Sequence, residues 1–275
     1  MNYVELNISV PSAEIAEILT AELSELPFDS FVTERDRLKA YIPQDALVDC
    51  KEEADAILAD YNITDCRYVQ IEAQNWNALW ESNFEPVDVD GRVLIRAPFH
   101  EPSPTAQFEV VIMPKMSFGT GHHATTKMMV EMILDADLKG KSGLDMGSGT
   151  GVLAIAACKC GAERLDAVDI DDFAYENCGE NIVTNGVADR ITPIMGDVRA
   201  IAGRKYDFIL ANINRNILLG DMDNYLKSLN DGGEIFFSGF LDSDVEAMTT
   251  ACAARGLKLK YERHTNGWAA LGFVK

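Results

Sequence analysis

Positive charge is the scarcest property of this chain. Its 275 residues carry 24 Lys plus Arg against 44 Asp plus Glu, a formal net charge of -20. Such a surface repels phosphate backbones, so direct nucleic-acid binding is not expected unless a local basic patch overrides the field. A basic partner would be drawn in instead, although solubility is the plainer use of the same acidity. Paired cysteine spacings are missing too. The six cysteines, at 50, 66, 158, 160, 178 and 252, include no CxxC. Cys158 and Cys160 lie two apart on an expected helix, where side chains point away from each other. That excludes a zinc knuckle and a local disulfide, and reads as reduced thiols in a cytoplasmic protein. No run approaches 18 apolar residues, and the opening MNYVELNISV has no basic n-region or apolar core. No membrane segment or secretory leader is therefore expected. What is present, 47% hydrophobic and 25% charged residues, is ordinary globular composition, enough for one large domain or two smaller ones.

The first 73 residues alternate short elements. Tyr3 to Val10 alternates apolar and polar like a half-buried strand, and Ser12 can cap a helix carrying Ile15, Ile18, Leu19 and Leu23 on one face, ended by Pro27. Phe28 to Thr33 and Leu38 to Ile42 read as paired strands around Glu34, Arg35 and Asp36, followed by a helix from Asp49 to Tyr61 and a strand from Arg67 to Ala73. The sum, β-α-β-β-α-β, predicts a small ferredoxin-like α+β domain over residues 1–73, a fold that hosts many functions. A linker over 74–92 follows, with Trp76, Leu79, Trp80 and Phe84 at the spacing of a packed helix face. Two strands, Val93 to Ala97 and Phe108 to Met113, joined through Pro98, Pro102 and Pro104, read as an antiparallel entry to a second domain over 93–275.

That domain reads as a doubly wound α/β sheet. Its most informative stretch runs from Leu144 to Asp169, LDMGSGTGVLAIAACKCGAERLDAVD: a buried strand, a glycine turn, a helix and a second strand ending in an acid. Gly147, Gly149 and Gly151 form GxGxG, whereas the dinucleotide fingerprint needs its third glycine where this chain has Val152. Asp145, just before the turn, would repel a phosphate and welcome an ammonium or sulfonium. Asp169, 22 positions after Gly147, stands where a carboxylate can take both ribose hydroxyls. A ribose-bearing cation without phosphate describes S-adenosylmethionine. Further strands end at Gly196-Asp197, where an acid can accept from an adenine amine, and at AlaAsnIleAsn (211–214), which places Asn212 on the carboxyl edge of the sheet as a neutral acceptor for a reacting amine. Strands from Leu257 to Arg263 and from Trp268 to Val274 close the domain as an antiparallel hairpin.

Upstream, MSFGTGHHATT (116–126) is a glycine-rich loop running into a helix whose Thr125 and Thr126 can offer hydroxyls to a carboxylate. Adjacent His122 and His123 lie about 100° apart on a helix and would not share a metal, so capping or packing is the expected role and no metal is assigned.

Together, FGTGHHATT, LDMGSGTGVLAIAA, VDIDD, the ANI step at 211–213 and the late GG-E-IFFSGFL resemble the ribosomal protein L11 methyltransferase family, within the class I S-adenosylmethionine-dependent methyltransferases. The ferredoxin-like module and the aromatic linker fit as well, so the likeness covers nearly the whole chain. It implies cofactor contacts at Thr126, Gly147, Asp169 and Asn212, extended through the same motifs to Phe118, Asp145, Gly149 and Asp197, with Asn212 also orienting the acceptor. It implies methylation of the α-amine and lysine amines of a basic ribosomal protein held by the N-terminal module. Asn214-Arg215 departs from the leucine or alanine usual after Ile213. The Asn-Pro-Pro-aromatic run used against flat amides is absent, which favours flexible alkyl amines. An S-adenosylmethionine-dependent enzyme acting on another protein, RNA or a small amine stays open, as does a nicotinamide-dependent oxidoreductase, which Val152 and Asp145 disfavour.

Overall fold

The computed structural model describes residues 3–71, 84–115 and 118–275. The expected packing face at Trp76, Leu79 and Trp80 lies outside the described residues. The chain divides into two compact units, 1–84 and 85–275.

In the first unit, β1 (Tyr3–Ser9), α1 (Ala13–Leu23), β2 (Ser30–Glu34), β3 (Arg37–Pro43), α2 (Gln44–Asp60) and β4 (Cys66–Ile71) follow in order. The strands form one sheet ordered β2-β3-β1-β4, every neighbour antiparallel. This is ferredoxin-like topology. Ser12 caps α1 by accepting from the Ile15 amide at 3.3 Å, and Leu19 and Leu23 pack with Leu6, Ile8, Leu38 and Ile42 in a closed core. Helix α2 starts at Gln44 rather than at Asp49, because it continues directly from β3 with Pro43 in the cap position and no side-chain cap to announce it.

The second unit opens with a small sheet of β5 (Val87–Val89), β6 (Val93–Arg96) and β7 (Phe108–Val111). Here the expected antiparallel entry is corrected. β5 and β6 form the antiparallel hairpin, turning through Asp90 and Gly91 at positive φ, while β6 and β7 run parallel. The long proline-bearing connection carries the chain back to the start of β6, and the half-buried Arg96–Glu109 pair at 2.9 Å fastens the two strands.

The central sheet has seven strands: β8 (Ser142–Met146), β9 (Arg164–Asp169), β10 (Ile191–Met195), β11 (Tyr206–Asn212), β12 (Leu229–Leu241), β13 (Lys258–Thr265) and β14 (Trp268–Val274). Their order is β10-β9-β8-β11-β12-β14-β13. The first five are parallel and β14 runs antiparallel between β12 and β13. Parallel strands buried on both faces need continuous apolar runs, and FILA in β11 and IFF in β12 are fully buried. The faces are covered by α3 (Ala124–Asp135), α4 (Val152–Lys159), α5 (Asp172–Thr184), α6 (Arg215–Ser228) and α7 (Val245–Ala253), giving one apolar cluster on each side. The strand order reverses between β8 and β11, so a crevice opens at their carboxyl ends, where open sheets bind ligands. All six cysteines are free, and no helix among the described residues is long and apolar enough to cross a membrane.

Candidate active site

The turn after β8 is built from residues that tolerate left-handed backbone. Gly147 and Gly149 have φ of +71° and +53°, and a Cβ on Gly149 would strike the Phe118 carbonyl oxygen. The Gly149 amide donates to Asp169 Oδ2 at 2.8 Å, and the Asp171 amide donates to Oδ1 at 3.1 Å. The carboxylate at the end of β9 is thus aimed by backbone, with lone pairs left over for a ligand. Thr150 spends every polar group on this neighbourhood. Its amide donates to Phe118 O at 3.0 Å, its hydroxyl to Gly119 O at 2.6 Å, and its carbonyl accepts from Asn181 Nδ2 at 2.9 Å.

A cavity of about 370 Å³ lies over this turn. Six of the residues singled out in the sequence meet there: Phe118, Gly147, Gly149, Asp169, Asp197 and Asn212. Asn212 ends β11, and its Oδ1 is buried with no hydrogen-bond partner among the described residues. An acceptor left without a partner beside a cavity is a position for a ligand donor. Asp197 begins a short 3-10 turn, accepts from the Arg199 amide at 2.9 Å and pairs with the Arg199 side chain, which holds its carboxyl below the usual range.

Two of the predicted contacts do not line this cavity. Asp145 is fully buried beneath the turn, where one oxygen accepts from the Ala154 amide at 3.0 Å and the other has no partner among the described residues. Burial pushes its carboxyl up to about 7, with the nearby Asp169 adding to the effect. It therefore lies beneath the turn rather than in the cavity wall, bonded to the first turn of α4 and holding its proton until near neutrality. Thr126, in the first turn of α3, is 1% exposed and its hydroxyl also lacks a partner among the described residues. His123 caps α3, its ring accepting from the Thr125 amide at 3.3 Å, and lies edge-on to Trp268 at 4.6 Å. His122 contacts Thr120 and the Glu85 carbonyl. Among the described residues, no cluster of three His, Cys, Asp or Glu side chains could hold a metal.

The structure also adds wall residues that the sequence reading passed over. Ile217, Asp221 and Tyr225 line the cavity from α6, and their spacing of four puts them on one helical face. That i, i+4, i+8 pattern beginning just after Asn212 is the signal that could have revealed them. Burial, then repulsion from Asp197, raises the Asp221 carboxyl, and burial raises the Tyr225 phenol, which stays neutral with its hydroxyl unpartnered. Ile170 and Ile213 supply apolar walls. Asn214, the departure noted in the sequence, caps α6 by accepting from the Asn216 amide at 2.9 Å, and Arg215 pairs with Asp244.

The cavity therefore offers backbone-fixed carboxylate for vicinal hydroxyls, apolar walls for a flat ring, and an unpaired amide oxygen at the sheet edge. This set suits the ribose and ring of a nucleoside. The family model for ribosomal protein L11 methyltransferase (PrmA) matches residues 10–275. The chain belongs to this family. A ribosomal protein L11 methyltransferase from Porphyromonas gingivalis is 43% identical over 264 residues, covering 94% of this chain and 90% of that protein. One from Bacteroides thetaiotaomicron is 41% identical over the full length of both chains. Among solved structures, the ribosomal protein L11 methylase of Lactobacillus delbrueckii subsp. bulgaricus superposes with a TM-score of 0.63 at 27% identity, covering 69% of this chain and 98% of that one. Membership makes the chain a methyltransferase, and the sheet order is that of the class I fold.

Proposed function

We propose that this enzyme transfers methyl groups from S-adenosylmethionine to the α-amine and lysine ε-amines of ribosomal protein L11, and that the cavity over the glycine turn holds the cofactor. The observation that carries the reading is Asn212 Oδ1, buried and unpartnered in the wall of the same cavity that presents Asp169. Asp169 would take the ribose hydroxyls, Asp197 the adenine amine, and Ile170 and Ile213 the faces of the ring. Gly147 and Gly149 let the backbone approach without a side chain in the way, and Phe118 covers the open side. Bound S-adenosylmethionine supplies an electrophilic methyl on a sulfonium.

The rest of the chemistry falls to the chain. A lysine amine, with an ordinary pKa of about 10.4, arrives protonated, and an α-amine of about 7.7 to 8 arrives partly so. The apolar walls disfavour the ammonium form, as does the positive charge of the cofactor. A carboxylate against the amine would hold the proton on, whereas the neutral Asn212 amide oxygen accepts an N–H and orients the lone pair without that cost. Holding acceptor and methyl in line contributes most of the acceleration, an effect worth about 7 to 11 kcal/mol where both groups are fixed.

Residues 1–73 carry none of the cofactor positions. We assign them to recognition of the protein substrate, steered by the chain's net charge of -20 toward a basic partner. Incubation with methyl-labelled S-adenosylmethionine and a ribosomal protein fraction tests the proposal: label belongs in a protein of L11 size, and label in RNA or in small amines would overturn the substrate assignment.

A further inference from the structure

Helix α5 carries Asn177 and Asn181 and is followed at its C-cap by Asn185, a spacing of four that forms a ladder along one face. The ladder takes the place of a missing neighbouring strand for the chain leaving β7. Asn185 accepts from the Val111 amide at 2.9 Å and donates to the Val111 carbonyl; Asn181 accepts from the Met113 amide at 2.9 Å; Asn177 donates to the Met113 carbonyl at 3.4 Å. Asn177 and Asn181 are 1% exposed. Asn181 alone among the three also reaches the glycine turn, donating to the Thr150 carbonyl at 2.9 Å and to Asn177 Oδ1 at 3.0 Å. Both of its N–H donors are thereby used, while its oxygen accepts from the Met113 amide. Thr150 in turn holds the Phe118 and Gly119 carbonyls.

We propose that Asn181 is a positioning residue for cofactor binding: it locks the Met113 backbone to Thr150, and through Thr150 fixes both the glycine turn and Phe118 around the cavity. The inference rests on the proposed use of that cavity for S-adenosylmethionine. An asparagine is required because one side chain must accept from one backbone and donate to another in a dry setting. Aspartate keeps the acceptor but turns an oxygen toward the Thr150 carbonyl, and alanine leaves the Met113 amide and Thr150 carbonyl unpaired. Asn185 is the internal control, since it bonds both backbone groups of Val111 and the Asn181 backbone carbonyl without touching the turn.

The test compares Asn181→Ala, Asn181→Asp and Asn185→Ala in the full chain, by thermal unfolding, calorimetric titration with S-adenosylmethionine, and amide exchange at Gly149 and Thr150. Asn181→Ala and Asn185→Ala should lose similar thermal stability, but only the Asn181 variants should bind cofactor about tenfold more weakly, the factor that corresponds to one neutral hydrogen bond. Only they should show faster exchange at Thr150. Should Asn181→Ala fail to fold, Asn181→Ser keeps a small donor beside Thr150 and should show a smaller loss of affinity in the same direction. Unchanged affinity and exchange in a folded Asn181 variant would overturn the inference, as would equal losses in Asn185→Ala. Wild-type protein that binds no S-adenosylmethionine would instead refute the functional proposal, and the exchange comparison would still decide the role of Asn181.

Discussion

Replacing Asp145 by asparagine isolates the electrostatic tension under the glycine turn. The carboxyl is fully buried, one oxygen bonded to the Ala154 amide and the other unpartnered, and burial lifts it from its ordinary 3.8 to about 7. In the unfolded chain it ionises near 4; in the folded chain it keeps its proton until near neutrality. Between these values the folded state binds the extra proton, so the stability linked to this residue is full below about pH 4 and drains away as pH rises to about 7. A shift of this size corresponds to about 4 kcal/mol between the two limits. Asparagine keeps an acceptor for Ala154 and cannot ionise. Urea unfolding at pH 5 and pH 8.5 should therefore show Asp145→Asn gaining on wild type as pH rises, by about 3 kcal/mol between the two values, the rest of the linkage falling below pH 5. A difference between the two proteins that stays constant across this range, or that turns against the variant at high pH, would refute the reasoning.

Other expectations follow from the same geometry. Asp169→Ala should weaken S-adenosylmethionine binding by about 3 kcal/mol, because charge-assisted bonds to two hydroxyls are lost, and calorimetry on the folded variant checks it. Asn212→Ala should lower turnover more than cofactor affinity, and Asn212→Asp should fall further at neutral pH by favouring the ammonium form of the acceptor; steady-state kinetics with both substrates separates these effects. Gly149→Ala should abolish cofactor binding, since its Cβ would strike the Phe118 carbonyl and its φ of +53° is strained for alanine. Removing residues 1–84 should leave S-adenosylmethionine binding intact while abolishing methylation of the protein substrate, measured by calorimetry and by label incorporation.

The doubly wound sheet was legible because its signals are physical and local. Runs such as FILA and IFF, short and set between turn residues, suit strands buried on both faces, and the glycine turn followed by an acid marks the first two strands of the crevice. Asp169, Asn212 and Asp197 could be placed because strand ends in such a sheet converge on one edge. The parallel pairing of β6 with β7 was not legible, since two short strands and a proline-rich loop suit either direction and only the tertiary bond between Arg96 and Glu109 records the outcome. β5, three residues long, carries no periodicity to detect. Asp145 illustrates a different gap. Its position in sequence suggested a ligand-facing charge, but β8 is buried on both faces and the Ala154 amide in the first turn of α4 holds the carboxyl under the glycines instead. Asp221 and Tyr225 were hidden because their helix face is mixed in polarity, and only the cavity shows that this face looks inward at a ligand site.

The most direct test of the account is intact-mass and peptide analysis of ribosomal protein L11 after reaction with this enzyme and S-adenosylmethionine. The account predicts mass increments of whole methyl groups on the α-amine and on lysine side chains, formed more slowly with Asn212→Ala under the same conditions. An L11 that gains no methyl from an enzyme demonstrably saturated with cofactor would contradict it.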